Sequence, residues 1–415
     1  MAARGQALRV AALALEQWLN HDTGDHVGPQ LPCRCGGLAQ YHGRHEKTFA
    51  SVLGPLHLQR AYYHCAQCQS GFCPRDQALG LELSSLTPGV VRMTSSTAAL
   101  VSFAESSQLL HELAGVEVSA KQAERTAEAL GAEIASDEQQ QVETMGEVAP
   151  TMYLGMDGTG VPMRAQEVVD RVGKQADGSA KTREAKIVTI WTAEARDAEG
   201  KPMRDAGSIT YSAAIESAAT LDTSPDLSAF AARVLREATR RSFTAAARCV
   251  VLGDGSAWIW NTAGELFPQA TQILDRFHAK EHLSIVGKVI YGDTLEGKQW
   301  IRTRYEELDA GHLKSLVQAL HPHASQYPGA RDCIRYIWNN RRRMRYAYFH
   351  QQGLCTSTGV VEAGCKVVIG TRLKRAGMHW TVNGSNAIIA LRCSKLSGRF
   401  EDFWERRAER KRMAA

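Results

Sequence analysis

Thr358-Gly-Val-Val-Glu362-Ala-Gly-Cys-Lys366-Val-Val-Ile-Gly-Thr-Arg372-Leu-Lys374-Arg375-Ala-Gly-Met-His-Trp380 is the stretch around which the remaining motifs can be ordered. Glu362 is the only carboxylate between Asp332 and Glu401, and the other charged side chains of the stretch are Lys366, Arg372, Lys374 and Arg375. One reading is a surface helix in which Glu362 pairs with Lys366 one turn on, a contact worth about 0.3–0.5 kcal/mol. The other is that Glu362 reaches a metal ion while the basic side chains and Trp380 face a polyanion. That reading requires partner acids elsewhere in the chain.

Two acids are placed to serve. Met152-Tyr-Leu-Gly-Met-Asp157-Gly-Thr-Gly-Val-Pro is an apolar run that ends at Asp-Gly before a second short run, the pattern of a strand and the start of a hairpin. Arg248-Cys-Val-Val-Leu-Gly-Asp254-Gly-Ser-Ala-Trp-Ile-Trp is an apolar run of strand length ending at Asp254, with Ser256 as a cap for the helix that follows. Either Asp alone would be an ordinary turn residue. The three acids together form an ordered set of strand end, strand end and late helix.

With these motifs the chain resembles bacterial insertion-sequence transposases of the Kra group, in the RNase H-like DDE superfamily that includes the Mutator-like transposases. The resemblance rests on Asp157-Gly-Thr-Gly-Val-Pro, Gly253-Asp-Gly-Ser-Ala-Trp-Ile-Trp, Asp275-Arg-Phe-His278-Ala-Lys-Glu-His282 and Gly359-Val-Val-Glu362-Ala-Gly-Cys-Lys, which occur in the family's order over nearly the whole chain. It implies an α/β chain whose RNase H-like catalytic domain is interrupted by an all-helical insertion. Asp157, Asp254 and Glu362 would be the catalytic, metal-holding acids, with His278 of the Asp-x-x-His element as an accessory. Hard oxygen ligands suit Mg²⁺ or Mn²⁺, and two ions roughly 3.5–4 Å apart can serve an in-line displacement. The implied activity is cleavage at insertion-sequence ends and strand transfer into target DNA. An RNase H-like nuclease that does not join, and a non-catalytic DNA-binding protein derived from a transposase, are the alternatives.

The 415 residues allow two or three domains, and a net charge of +5 does not by itself imply a nucleic-acid partner. Charge distribution is more informative. Arg331 to Tyr346 interleaves arginines with aromatics, and Arg341, Arg342, Arg343 and Arg345 read as phosphate contacts. The same stretch also reads as a solvated helix face with Ile334, Ile337 and Trp338 in the core. Ser106 to Leu130 reads as two helices about a turn at Gly115, the second capped by Ser119, which is helix-turn-helix spacing. Lys121, Gln122 and Arg125 would then face double-stranded DNA.

Five of the ten cysteines fall between Cys33 and Cys73. Cys33-Arg-Cys35 and Cys65-Ala-Gln-Cys68 flank an apparent two-stranded segment, Phe49–Leu53 and Leu56 onward, as the knuckles of a tetrahedral zinc site would. Relatives in the resembled family carry Cys-x-x-Cys in the first knuckle, where this chain has Pro32, and Cys73 is a further thiol that would substitute. The segments expected are 1–86, an N-terminal helix to about residue 25 and a zinc-ribbon-like module; 87–150, a helical DNA-binding region and linker; 151–284, the catalytic core; 285–357, the helical insertion; and 358–415, the Glu362 helix and closing helices. Ala165 to Glu184 reads as an exposed loop. No run is apolar enough to span a membrane, the N-terminal helix is amphipathic, and a cytoplasmic protein acting on the nucleoid is expected. Holding two DNA ends together calls for at least a homodimer.

Overall fold

A computed structural model describes residues 2–81, 85–140, 142, 148–169, 181–219 and 226–414. The chain has a mixed α/β architecture and divides into two compact units, residues 1–137 with 398–415, and residues 138–397. Among the described residues no helix is long and apolar enough to cross a membrane.

The first unit opens with the helix Ala2–His21, which buries Ala12 against Phe49, Leu56 and Leu58. Its sheet is antiparallel in the order β1 (Gln30–Pro32), β2 (Leu38–Ser51), β3 (Gly54–Cys65) and β4 (Ser70–Phe72). The β2–β3 hairpin is much longer than the apolar residues suggest. β2 begins at Leu38, and its polar residues from Gln40 to Thr48 pair along β3 with one irregularity between Tyr41 and Arg44. The backbone ladder, indifferent to side-chain polarity, sets that length. Helices Pro88–Leu100, Phe103–Leu109 and Ala120–Gln140 follow. The closing helix Phe400–Ala414 belongs to this unit and is tied to Ala120–Gln140 by Arg407–Glu133 at 2.9 Å and Arg406–Asp137 at 2.8 Å.

The second unit is built on five strands, β5 (Thr151–Pro162), β6 (Thr182–Thr192), β9 (Thr210–Ala214), β10 (Arg248–Gly253) and β11 (Thr271–Leu274). A small ribbon of β7 (Ala195–Arg196) and β8 (Pro202–Met203) intervenes. The sheet order is β11-β10-β5-β6-β9, with β10 parallel to β5 and β11, and β6 antiparallel to β5 and β9. β5 is central, and Thr151–Met156 are buried on both faces, as a strand covered on both sides requires.

Asp157-Gly158 is not the turn expected. β5 runs through it to Pro162, pairing Asp157 with Ile187 and Gly158 with Lys186. Gly158 and Gly160 leave room for side chains of β6, since a Cβ on them would stand 2.3 Å from Glu184 Oε1 and 2.7 Å from Thr182 Oγ1. Of the expected loop at Ala165–Glu184, Ala165–Val168 form a short 3₁₀ turn and Thr182–Glu184 belong to β6, while 170–180 lie outside the described residues. Helices Arg276–Tyr291, Leu295–Ala310, Leu313–Leu320, Pro328–Asn340 and Tyr346–Gln351 make up the late helical segment. Leu308, Leu316, Ile337 and Phe349 of this segment share one apolar core with Tyr153, Val251 and Ile273 of the sheet.

Candidate active site

The register of the sheet brings the two aspartates together. β5 and β10 are parallel, with Gly155 opposite Leu252, and Asp157 and Asp254 each lie two residues further on. They therefore emerge side by side where β10 ends. Asp157 is half-buried; its Oδ1 accepts from the Gly158 amide at 2.7 Å and its Oδ2 from the Cys365 thiol at 3.3 Å. Asp254 accepts from the Ser256 amide at 2.8 Å and the Ser256 hydroxyl at 3.2 Å, so that hydroxyl is turned to Asp254 rather than to the helix it was expected to cap. The Tyr336 hydroxyl donates to the Asp254 carbonyl at 3.1 Å.

Glu362 arrives on the helix Gly359–Gly364, which continues as a wider π-helical segment, Cys365–Gly370, and a final turn, Thr371–Leu373. That helix lies close on the sheet because glycines face it. A Cβ on Gly364 would stand 3.1 Å from Tyr211 and 3.2 Å from Thr189, and one on Gly155 3.0 Å from Val361. Glu362 Oε1 lies 2.8 Å from the Thr358 hydroxyl. Asp157, Asp254, Glu362, His278, Thr358, Met156 and Val361 line one cavity of about 160 Å³. Burial, the dominant cause, raises the Asp157 carboxyl above the ordinary carboxylate range. The Cys365 thiol and Gly158 amide pull it back, and the charges of Asp254 and Glu362 add to the rise. A cation among these oxygens would relieve that repulsion, and carboxylates are the donors a hard divalent metal takes. Among the described residues, however, the group whose ligand atoms all lie within 4.8 Å of one another is the four cysteines.

His278 is the third residue of the helix Arg276–Tyr291, with its Nδ1 3.4 Å from Glu281. His282 packs on Tyr336, ring centres 4.2 Å apart, and burial lowers its pKa. Thr358, Cys365 and Tyr336 escaped the sequence reading. For the first two the signal was spacing, since Thr358 is one helical turn before Glu362 and Cys365 nearly one turn after it, on the same face; Tyr336, on a separate helix, had none.

The basic residues separate into two groups. Lys366, Lys374, Arg375, Arg341, Arg342 and Arg345 are exposed. Arg372 and Trp380, expected at the DNA surface, are buried instead: the Arg372 guanidinium lies 5.2 Å from the Trp380 ring, and Trp380 Nε1 donates to the Leu373 carbonyl at 3.0 Å. They close the end of the Glu362 helix. Arg343 is half-buried over Trp260, bonded to Gln272 at 2.7 Å and Asn340 at 3.1 Å, so it too is turned inward. In the helix Pro328–Asn340, Ile337 is buried and Ile334 half-buried, but Trp338 is 59% exposed with the Arg341 guanidinium 4.7 Å from its ring. Arg345 stands 4.4 Å from the ring of exposed Tyr348 in the same way.

In the first unit, Lys121, Gln122 and Arg125 are exposed at the start of Ala120–Gln140. Lys121 pairs with Glu124 at 2.7 Å, and Gln122 and Ser119 cap one another across that helix's start at 3.2 and 3.3 Å. The sulfurs of Cys33, Cys35, Cys65 and Cys68 lie within 4.8 Å of one another, with 3.6 Å between Cys33 and Cys68 and 3.7 Å between Cys35 and Cys65. Four thiolates at the usual Zn–S distance stand about 3.8 Å apart, so the group can hold a metal ion such as zinc. Ser70, through its hydroxyl and amide, lowers the Cys68 thiol to about 6, while at Cys35 the lowering by the Gly37 amide is outweighed by the neighbouring thiols, which raise that thiol to about 12. Cys73 is buried ahead of Pro74–Ala78 and is not part of the group.

Residues 39–409 match the model of an uncharacterised protein family, UPF0236, and no curated protein matches the chain.

Proposed function

We propose, for a chain that belongs to the uncharacterised protein family UPF0236, the function of a DDE transposase that cuts insertion-sequence ends and joins them to target DNA. The observation that carries this reading is the convergence of Asp157, Asp254 and Glu362 on one cavity from segments about a hundred residues apart. The strand order β11-β10-β5-β6-β9 supports an RNase H-like core, since it seats the first acid on the central strand and the second just past the end of its parallel neighbour.

Asp157, Asp254 and Glu362 would hold Mg²⁺ or Mn²⁺. Such ions supply activation of the attacking oxygen and stabilisation of the leaving one. In the first reaction the oxygen of water bonds to phosphorus, the bond to the 3′ oxygen breaks, and that oxygen leaves as a 3′-hydroxyl. In the second, the 3′-hydroxyl bonds to a target phosphorus and a target 3′ oxygen leaves. Neither consumes a nucleotide or needs a covalent protein intermediate. His278, on the cavity wall, would accept a proton from the attacking group at an imidazole nitrogen. Exposed Lys366, Lys374 and Arg375 lie on the Glu362 segment, and Arg341 and Arg345 beside exposed rings, as phosphate and base contacts would. Double-stranded DNA and a second copy of the chain are the partners of this reading, with zinc at the four cysteines as a structural ion.

The test is cleavage of a labelled insertion-sequence end by wild type, Asp157→Ala, Asp254→Ala and Glu362→Ala with Mg²⁺. The reading expects cleavage by wild type alone and end binding by all four. Cleavage by any of the three variants at the wild-type rate would overturn it.

A further inference from the structure

We infer that Thr358 and the buried Asp275 are positioning residues that hold Glu362 and His278 at the cavity, an inference that rests on the proposed metal site. Asp275 is wholly buried and is not among the cavity-lining residues. Its polar atoms reach every segment that carries a cavity group except β5. Its amide donates to the Gly253 carbonyl at 2.8 Å, next to Asp254. Its Oδ1 accepts from the His278 amide at 2.7 Å, capping the helix whose third residue is His278. Its Oδ2 accepts from the Thr358 amide and lies 2.7 Å from the Thr358 hydroxyl.

A carboxylate removed from water is tolerated only when hydrogen bonds replace its hydration, and here the His278 and Thr358 amides each serve one oxygen. The arrangement explains the Asp-x-x-His spacing as a helix cap: the capping side chain bonds the amide three residues on, and the residue bearing that amide turns its own side chain to the cavity. The Thr358 hydroxyl stands between two carboxylates, 2.7 Å from Asp275 Oδ2 and 2.8 Å from Glu362 Oε1, and carries one proton. Each oxygen of Asp275 also holds an amide donor, so the proton can turn to Glu362 without leaving either oxygen of Asp275 bare. Thr358 thus fixes the rotamer of the third acid, while Asp275 fixes Thr358.

The experiment is a Mn²⁺ titration of zinc-loaded, full-length protein, with free Mn²⁺ read by electron paramagnetic resonance. Wild type is compared with Glu362→Gln, Thr358→Val and Thr358→Ser, and the melting temperature of each without Mn²⁺ is recorded. Thr358→Val keeps the shape and removes the hydroxyl. We expect it to weaken Mn²⁺ binding about tenfold, the lower end for a residue that orients a metal ligand. Thr358→Ser should stay close to wild type, because it restores the donor. Wild-type Mn²⁺ affinity in Thr358→Val, alongside a loss in Glu362→Gln, would overturn the positioning role and leave the metal site standing. No Mn²⁺ binding by wild type, or no loss in Glu362→Gln, would overturn the metal site and this inference with it.

Discussion

Arg392→Met tests how the helix that carries Glu362 is held. A wide turn at Cys365–Gly370 breaks the usual backbone ladder of that helix, and Arg392, 4% exposed on the helix Val382–Leu396, meets the carbonyls it frees. Arg392 Nε donates to the Val368 carbonyl at 2.6 Å, while its terminal nitrogen reaches the Val367 carbonyl and the Thr371 hydroxyl, the latter at 3.0 Å. Methionine fills much of the same volume and donates nothing. The Val368 carbonyl, buried, would lose a charged donor at a cost of about 1–3 kcal/mol; Val367, nearer solvent, would recover part of its loss from water. Relief from burying a guanidinium, whose pKa burial already lowers, offsets some of this. A net loss of about 2–3 kcal/mol in a unit of this size corresponds to about 4–10 °C in melting temperature. Thermal denaturation followed by circular dichroism reads that shift, with Arg392→Lys expected in between. A melting temperature for Arg392→Met within about 2 °C of wild type would refute the role of Arg392 in holding the wide turn, since that would fall well short of the expected loss.

Three other outcomes follow from the same geometry. Replacing Cys35 by Ser, or chelating the protein, should release zinc measurable by colorimetric titration and lower the melting temperature of the first unit, because metal affinity is folding energy in so small a module. Asp157→Asn should stabilise the metal-free protein at neutral pH. The folded carboxyl titrates above its unfolded value, so the native state holds the extra proton between the two, stability falls as pH rises through that window, and the penalty is full above it. Melts at neutral pH and near pH 3.5 should show the gain at the first and none at the second, and Mn²⁺ should stabilise wild type only. Trp338→Ala should weaken DNA binding by about 1–3 kcal/mol if the ring stacks on a base, and Arg341→Ala should lower the slope of log affinity against log salt by about 1, both read by fluorescence anisotropy over a salt series.

That both aspartates follow buried strand residues was legible, because Met152–Met156 and Val250–Leu252 are apolar runs of strand type; that β5 continues past Asp157 while β10 stops before Asp254 was not. Asp275 was legible as part of an Asp-x-x-His element, but not as the cap of the helix that follows β11. Direction was not. Arg372 and Trp380 sit in a basic stretch and look like surface groups, yet they pack on one another in the interior, with Trp380 paired to Met163. Trp338, apolar and flanked by Ile334 and Ile337, looks like core, yet the rotation of its helix leaves it outside beneath Arg341. Asp157-Gly158 carries a turn signature that a long partner strand overrides. Thr358 and Cys365 are unremarkable types whose role comes from what they face across the fold.

The most direct measurement is joining of a labelled, pre-cut insertion-sequence end to plasmid DNA with Mg²⁺ or Mn²⁺, wild type beside Glu362→Gln. Metal-dependent joined product from wild type that is absent from the variant is the result the three-carboxylate site predicts. Specific end binding by wild type with no joined product under either metal would contradict it.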